Sequence, residues 1–196
     1  NAWVYLGGWA EECMGLALDG GWREKVFLMT KNSGRDRKFS EKCLHDSLSR
    51  LRTDYIDLWQ FHEINYDNDP DWVVEQGGLE FALKAQKAGK IRFIGFTGHK
   101  DPRINRKMLN IGFDWATMQM PINVMDYFYR SFQRDTLPLC LTQDVGVLGM
   151  KSLGGGSAEA KILTDTKLTA EQCVRYALSQ PVSTLVRGYT KLEQLE

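Results

Sequence analysis

The sequence predicts an α/β protein built as a (β/α)8 barrel of the TIM type, incomplete at both ends in this chain. Short, dense apolar runs alternate with helical segments along its length. The run starts lie roughly 25 to 40 residues apart, the size of one βα unit. No G-x-G-x-x-G follows a strand, which argues against a dinucleotide-binding doubly wound sheet; Gly154-Gly155-Gly156 does not match it. A complete barrel typically takes about 250 residues, and the chain has 196. NAWVYLGG (1–8) begins in the middle of a unit and KLEQLE (191–196) stops after a turn or so. The expectation is a single barrel domain over 1–196, the core of a larger barrel without its N-terminal βα unit and C-terminal tail.

The elements follow in order. WAEECMGLAL (9–18) is the first helix and KVFLMT (25–30) the first strand-length run. Ser40 is the expected cap of FSEKCLHDSLSRL (39–51), where Cys43, Leu44, Leu48 and Leu51 fall at helical spacing. YIDLWQF (55–61) is the second run. Asp69-Pro70 opens the helix WVVEQGGLEFALKAQKAG, with Pro at the first helical position and Gly89 near the end. IRFIGF (91–96) and WATMQM (115–120) are strands. SFQRDTLPLCLTQDV (131–145) is helical with Pro138 inside it. VGVLGM (145–150) is a strand. Thr169 caps AEQCVRYALSQ (170–180), and STLV (183–186) closes the series. Several runs are continuously apolar, as in strands buried on both faces.

Lys and Arg number 25, as do Asp and Glu, so the net charge is zero. That balance offers no electrostatic reason to expect nucleic acid or an anionic membrane. With 43% hydrophobic and 26% charged residues, the composition is that of a globular protein. No apolar run approaches the ~20 residues that cross a bilayer. The four cysteines are far apart with no C-x-x-C pair. They read as small buried residues in a reducing compartment, the cytoplasm, with no metal site. NYDNDPD (65–71) lacks the central Gly and terminal Glu of a calcium loop. Trp3, Trp59, Trp72 and Trp115 read as core; Trp9 and Tyr127 are the better candidates for substrate contact.

In such a barrel the site lies at the carboxyl ends of the strands. Tyr5 comes just after what would be the preceding strand. Lys31 follows KVFLMT, His62 follows YIDLWQF, and Thr97 and His99 follow IRFIGF. Gln119 lies within its run, Lys151 follows VGVLGM and Arg187 follows STLV. A Tyr, a Lys and a His on one face suit proton chemistry on a carbonyl oxygen. A neighbouring ammonium is expected to lower the phenol's pKa, and a His can donate a hydrogen bond to the same oxygen. None of these groups carries a hydride, so a reduction needs a cofactor.

LRTDYIDLWQFH (51–62) resembles the L-x-x-D-Y-x-D-L-x-x-x-H stretch of the aldo-keto reductases, and KAGKIRFIGFTGH (87–99) resembles their G-K-I-R-x-I-G-x-S-x signature. Ala2 to Tyr5 matches everything after the Asp of the family's D-x-A-x-x-Y motif. The resemblance covers nearly the whole chain. It implies a (β/α)8 barrel that binds NADP and reduces an aldehyde or ketone to an alcohol, with Tyr5 as proton donor assisted by Lys31 and His62. It also implies that Thr97, Gln119 and Met150 face the nicotinamide, with His99 standing in where Gly98 replaces a common Asn. The KSLGGG loop (151–156), with Lys151 and Leu153, and Arg187 would serve the rest of the cofactor. The family's catalytic Asp would precede Asn1, and Leu6 stands where the family often has Gly. No clustered cysteines suggest an iron-sulfur group. Two other readings remain: a non-catalytic nucleotide-binding regulatory barrel, and a Schiff-base lyase using Lys151. Substrate identity and oligomeric state stay open.

Overall fold

The computed structural model describes residues 1–155, 161–189 and 191–194. Gly156 of the KSLGGG loop and Leu195-Glu196 of the last expected helical segment lie outside them. The described strands are β1 (Met29–Asn32), β2 (Ile56–Phe61), β3 (Ile91–Thr97), β4 (Thr117–Pro121), β5 (Gly146–Met150) and β6 (Thr184–Leu185). They form one sheet in chain order, every neighbouring pair parallel. α1 (Trp9–Ala17) precedes β1. Parallel neighbours need crossovers, and helices supply them here: α2 (Arg37–Arg50), α3 (Asp69–Glu75), α4 (Gly78–Lys87), α5 (Pro102–Leu109), α6 (Phe132–Asp135), α7 (Leu137–Thr142), α8 (Lys161–Asp165) and α9 (Ala170–Leu178). Sequential order with helical crossovers is the (β/α) barrel pattern.

β2 shows why. All six of its residues are buried, and alternate side chains leave opposite faces of a strand. Trp59 and Phe61 project to one face, where they meet Phe81 of α4 and Trp115. Leu58 and Gln60 take the other. Trp115 also packs edge-on against Phe96 and Phe113, and its indole N–H donates to the Met108 carbonyl at 2.9 Å.

Several elements differ from expectation for local reasons. NAWVYLGG forms no strand; Tyr5–Gly8 is a 3-10 turn. The Trp3 amide donates to the Lys31 carbonyl at 3.1 Å. α2 starts earlier than expected, capped by Asp36, whose carboxylate accepts from the Phe39 amide. Ser40 lies inside the helix, where its hydroxyl accepts from Asn32 instead. The helix after Asp69-Pro70 breaks at Gly77, whose φ of 78° is left-handed, into α3 and α4. Pro138 sits in the first turn of α7, where a missing N–H does no harm, so its segment also splits in two. α5 was not anticipated. The Thr169 cap forms a full capping box with Gln172. Trp59 and Trp115 are core, whereas Trp72 is 41% exposed. The four cysteines are unpaired, Cys13 exposed and the others buried. Among the described residues no helix is long and apolar enough to cross a membrane.

Candidate active site

Tyr5 sits on the turn that leads into α1. Leu6, Gly7 and Gly8 all have positive φ, so the chain doubles back tightly there. Gly8 holds a φ of 103°, which strains any other residue, and a Cβ there would displace the Arg50 guanidinium. Arg50 donates to the Trp3 carbonyl at 3.1 Å, and the Trp3 indole donates to Asp46 at 3.0 Å. Behind this turn the fully buried Glu11 accepts from Thr30 at 2.6 Å, Ser47 at 2.7 Å and Arg50 at 3.3 Å. One carboxylate thus ties α1, β1 and α2 together.

Lys31 lies in β1, only 3% exposed, and its ammonium donates to the Asn1 carbonyl at 2.6 Å. Burial pushes its pKa down to about 8. His62 directly follows β2, and its amide donates to the Asn32 carbonyl at 2.8 Å. Burial, then the Lys31 charge, pushes its imidazole down to about 4, so it is neutral at pH 7. The Tyr5 and His62 rings meet edge-on with centroids 5.5 Å apart. The Lys31 ammonium is 5.6 Å from the Tyr5 ring centre. The phenol was expected to be pushed down by that ammonium. It is raised instead, by burial first and by the Glu63 carboxylate second. The result is a phenol that holds its proton across the neutral range.

Beside this trio, Thr97 and Gln119 are register partners on β3 and β4. The Thr97 hydroxyl accepts from the Glu63 amide at 2.9 Å. The Gln119 amide nitrogen contacts the Met150 sulfur at 3.3 Å, while its carbonyl oxygen is buried with no hydrogen-bond partner among the described residues. The His99 imidazole pairs with Glu63 at 3.0 Å, and its amide donates to Asn65 at 3.3 Å. Gly98 has a physical reason: a Cβ there would strike the side chain of Asn105.

The other expected cofactor residues are spread further. Lys151 has a left-handed φ of 55° and starts a turn, its carbonyl accepting from Gly154 at 2.8 Å and Asn123 at 3.3 Å. Its ammonium also acts on Glu63, helping to hold that carboxyl below its usual range. The Leu153 carbonyl accepts from Ile162 at 3.3 Å, tying the turn to α8. Arg187 stands beyond β6, at the opposite edge of the sheet from β1, its guanidinium 5.7 Å from the Tyr189 ring centre. Tyr127 packs edge-on against Phe128 near Arg134, and Trp9 is 58% exposed.

Reading strand ends missed Glu63, Arg35 and Asp69. Glu63 is one residue beyond the strand-end histidine and adopts φ 54°. For a non-glycine residue that backbone costs on the order of 1–3 kcal/mol. Arg35 sits in the loop after β1 and Asp69 at the first position of α3, where Asp69-Pro70 reads only as a helix start, so nothing in the sequence ties them to the site.

The family model for the aldo/keto reductase family matches residues 1–172. Among curated proteins, Protein tas of Escherichia coli is 29% identical over 84% of this chain and 53% of its own length. The 6-dehydroglucose reductase of Novosphingobium aromaticivorans is 27% identical over 93% of this chain and 61% of its own. The chain thus spans between half and two thirds of these relatives. Among solved structures, the holo form of aldo-keto reductase AKR11C1 from Bacillus halodurans superposes with a TM-score of 0.77 at 22% identity, covering 99% of this chain and 72% of that one. An aldo/keto reductase from Klebsiella pneumoniae, in complex with NADP and acetate, gives 0.73 at 23% identity, covering 99% and 70%.

Proposed function

The chain belongs to the aldo-keto reductase family, and from that premise we propose that it reduces an aldehyde or ketone to an alcohol with NADPH. The observation that carries this reading is the meeting of a protonated phenol, a buried ammonium and a neutral imidazole at Tyr5, Lys31 and His62. The 6-dehydroglucose reductase among the relatives supports a carbonyl substrate, and the Klebsiella pneumoniae structure with NADP supports that cofactor.

The residues present fit a nicotinamide. Gln119 offers a buried acceptor oxygen with no partner among the described residues, and a primary carboxamide is the donor that complements it. Thr97 and His99 would hold the same end, with Met150 packing against the ring. Lys151, Leu153 and Arg187 would serve the phosphate-bearing remainder. When bound, the cofactor supplies the hydride.

The chain's own residues manage the proton. The Tyr5 hydroxyl would donate its proton to the carbonyl oxygen, leaving a phenolate that solvent reprotonates. The Lys31 ammonium stabilises that phenolate, and at pH 7 it is still charged. Neutral His62 donates a hydrogen bond to the same oxygen and helps orient the carbonyl. The four unpaired thiols suit a reducing compartment, the cytoplasm.

Oxidation of NADPH with 4-nitrobenzaldehyde tests the reading. Tyr5→Phe should reduce kcat by about 100-fold or more, the usual scale of general-acid catalysis, while cofactor fluorescence titration stays unchanged. Full activity in Tyr5→Phe would overturn the assignment. Cofactor binding without turnover of any aldehyde or ketone would favour the regulatory barrel.

A further inference from the structure

The loop after β2 carries His62 and runs to α3 at Asp69. Its backbone is held from outside by one side chain. Arg35, in the loop that follows Lys31 and β1, donates through one terminal nitrogen to the His62 carbonyl at 2.8 Å and to the Glu63 carbonyl at 2.9 Å. Its Nε donates to Asp69 at 3.0 Å. The other Asp69 oxygen accepts from the amides of Asn65 and Tyr66 at 2.8 and 2.9 Å. Both side chains are largely buried, Arg35 14% and Asp69 5% exposed. The far side of the same loop is fixed by Thr97, which takes the Glu63 amide on its hydroxyl and the Ile64 amide on its carbonyl.

We propose that Arg35 and Asp69 form a latch that positions His62 for the reaction. This inference rests on the reductase reading of the site. Holding the carbonyls of residues 62 and 63 fixes ψ at His62 and the left-handed backbone at Glu63, and so fixes the direction in which the imidazole leaves the chain. A guanidinium is suited to this. Its planar fork can address two carbonyls and a carboxylate at once, which the point charge of a lysine cannot. The latch also joins the loop that follows the Lys31 strand to the His62 loop, so two of the three site residues are set relative to each other. Close packing keeps it in place. Gly78, at the start of α4, carries no side chain because a Cβ would collide with the Arg35 carbonyl.

Arg35 touches no reacting atom in this scheme; it is a positioning residue, and its removal should act through geometry. In Arg35→Ala, kcat for aldehyde reduction should fall by up to about 100-fold, the scale of a misplacement near 1 Å. KM for the aldehyde and the affinity for NADPH should change little. Arg35→Lys should fail to restore kcat, and added guanidinium ion should restore part of it in Arg35→Ala. A second measurement does not need turnover. The groups acting on His62 are Lys31, Glu63, Arg35 and His99, with the Tyr5 ring against it. By NMR, Arg35→Ala and Asp69→Asn should each shift the His62 imidazole resonances, and Arg35→Ala should raise the titration midpoint. Thermal unfolding of each variant establishes that it is folded at the assay temperature. A folded Arg35→Ala with unchanged kcat, or full rescue by lysine, would overturn the latch. If the unmodified protein reduces no carbonyl, the reductase reading fails, and unchanged His62 resonances in both variants would still overturn the latch by themselves.

Discussion

The aromatic layer between sheet and helices and the carboxyl ends of the strands are built on opposite terms. In the layer, Trp59, Phe61, Phe96 and Trp115 are at most 3% exposed and meet one another edge-on or tilted. Trp115 satisfies its indole N–H on the Met108 carbonyl, whereas the Trp59 indole N–H is buried with no hydrogen-bond partner among the described residues. At the strand ends the same depth of burial is given to groups that resist it. Lys31 keeps a charge and Gln119 leaves an oxygen without a partner among the described residues, while the exposed Glu63 and the half-buried Lys151 hold left-handed backbone. The difference teaches where stability is made and where it is given up. The layer holds the strands in register, and that rigidity permits a strained, poorly solvated constellation at their ends.

The largest expected effect lies in the layer. Trp115→Ala should destabilise the chain by about 3–5 kcal/mol, read as the shift of a urea unfolding midpoint. Protein that remains folded at low temperature should keep its turnover, because the ring contacts and side-chain hydrogen bond of Trp115 are to Phe61, Phe96, Phe113 and Met108, none of them a candidate site residue. A selective loss of kcat in folded protein would blur the division.

The next effect lies at His62. Its folded pKa of about 4 lies below the ordinary 6.5. Between those values the unfolded chain binds the extra proton. Stability is therefore full above pH 6.5 and falls by up to about 3 kcal/mol as pH drops to 4. Unfolding midpoints across that window should fall in the parent and flatten in His62→Gln. Equal slopes in both would mean that some other group supplies the acid sensitivity.

A smaller change is expected from Gln119→Leu. Removing a buried oxygen that lacks a partner should leave stability unchanged or raise it by about 1 kcal/mol. NADPH affinity should fall in the same variant, measured by fluorescence titration. Undiminished affinity would take Gln119 out of the cofactor site.

The strands, and with them the candidates Lys31 and His62, were legible in the sequence for one reason, whereas Tyr5 was marked by its family motif and follows no strand. Dense apolar runs such as YIDLWQF end abruptly in a polar group, and a parallel sheet buried on both faces turns each such end into a candidate position. The structure brings Tyr5, Lys31 and His62 together as that reasoning required. What was hidden depends partly on competition among neighbouring polar groups and partly on contacts far apart in sequence. Asp36 rather than Ser40 caps α2 because Asn32 claims the serine hydroxyl. The Tyr5 phenol is raised rather than lowered because burial and Glu63 act on it, and Glu63 reaches it from another strand end. Arg35 and Asp69 are 34 residues apart, with no local pattern linking them.

Lys31→Met tests the division between the two regions most directly. Lys31 has a folded pKa of about 8 against an ordinary 10.5. Its charge is therefore held at neutral pH at a cost of up to about 3 kcal/mol, which disappears as pH rises from 8 to 10.5 and the ammonium is lost. Urea unfolding at pH 7 should give a higher midpoint for Lys31→Met than for the parent, while NADPH-dependent reduction of 4-nitrobenzaldehyde is abolished. A variant that is less stable than the parent, or one that still turns over, would contradict the account.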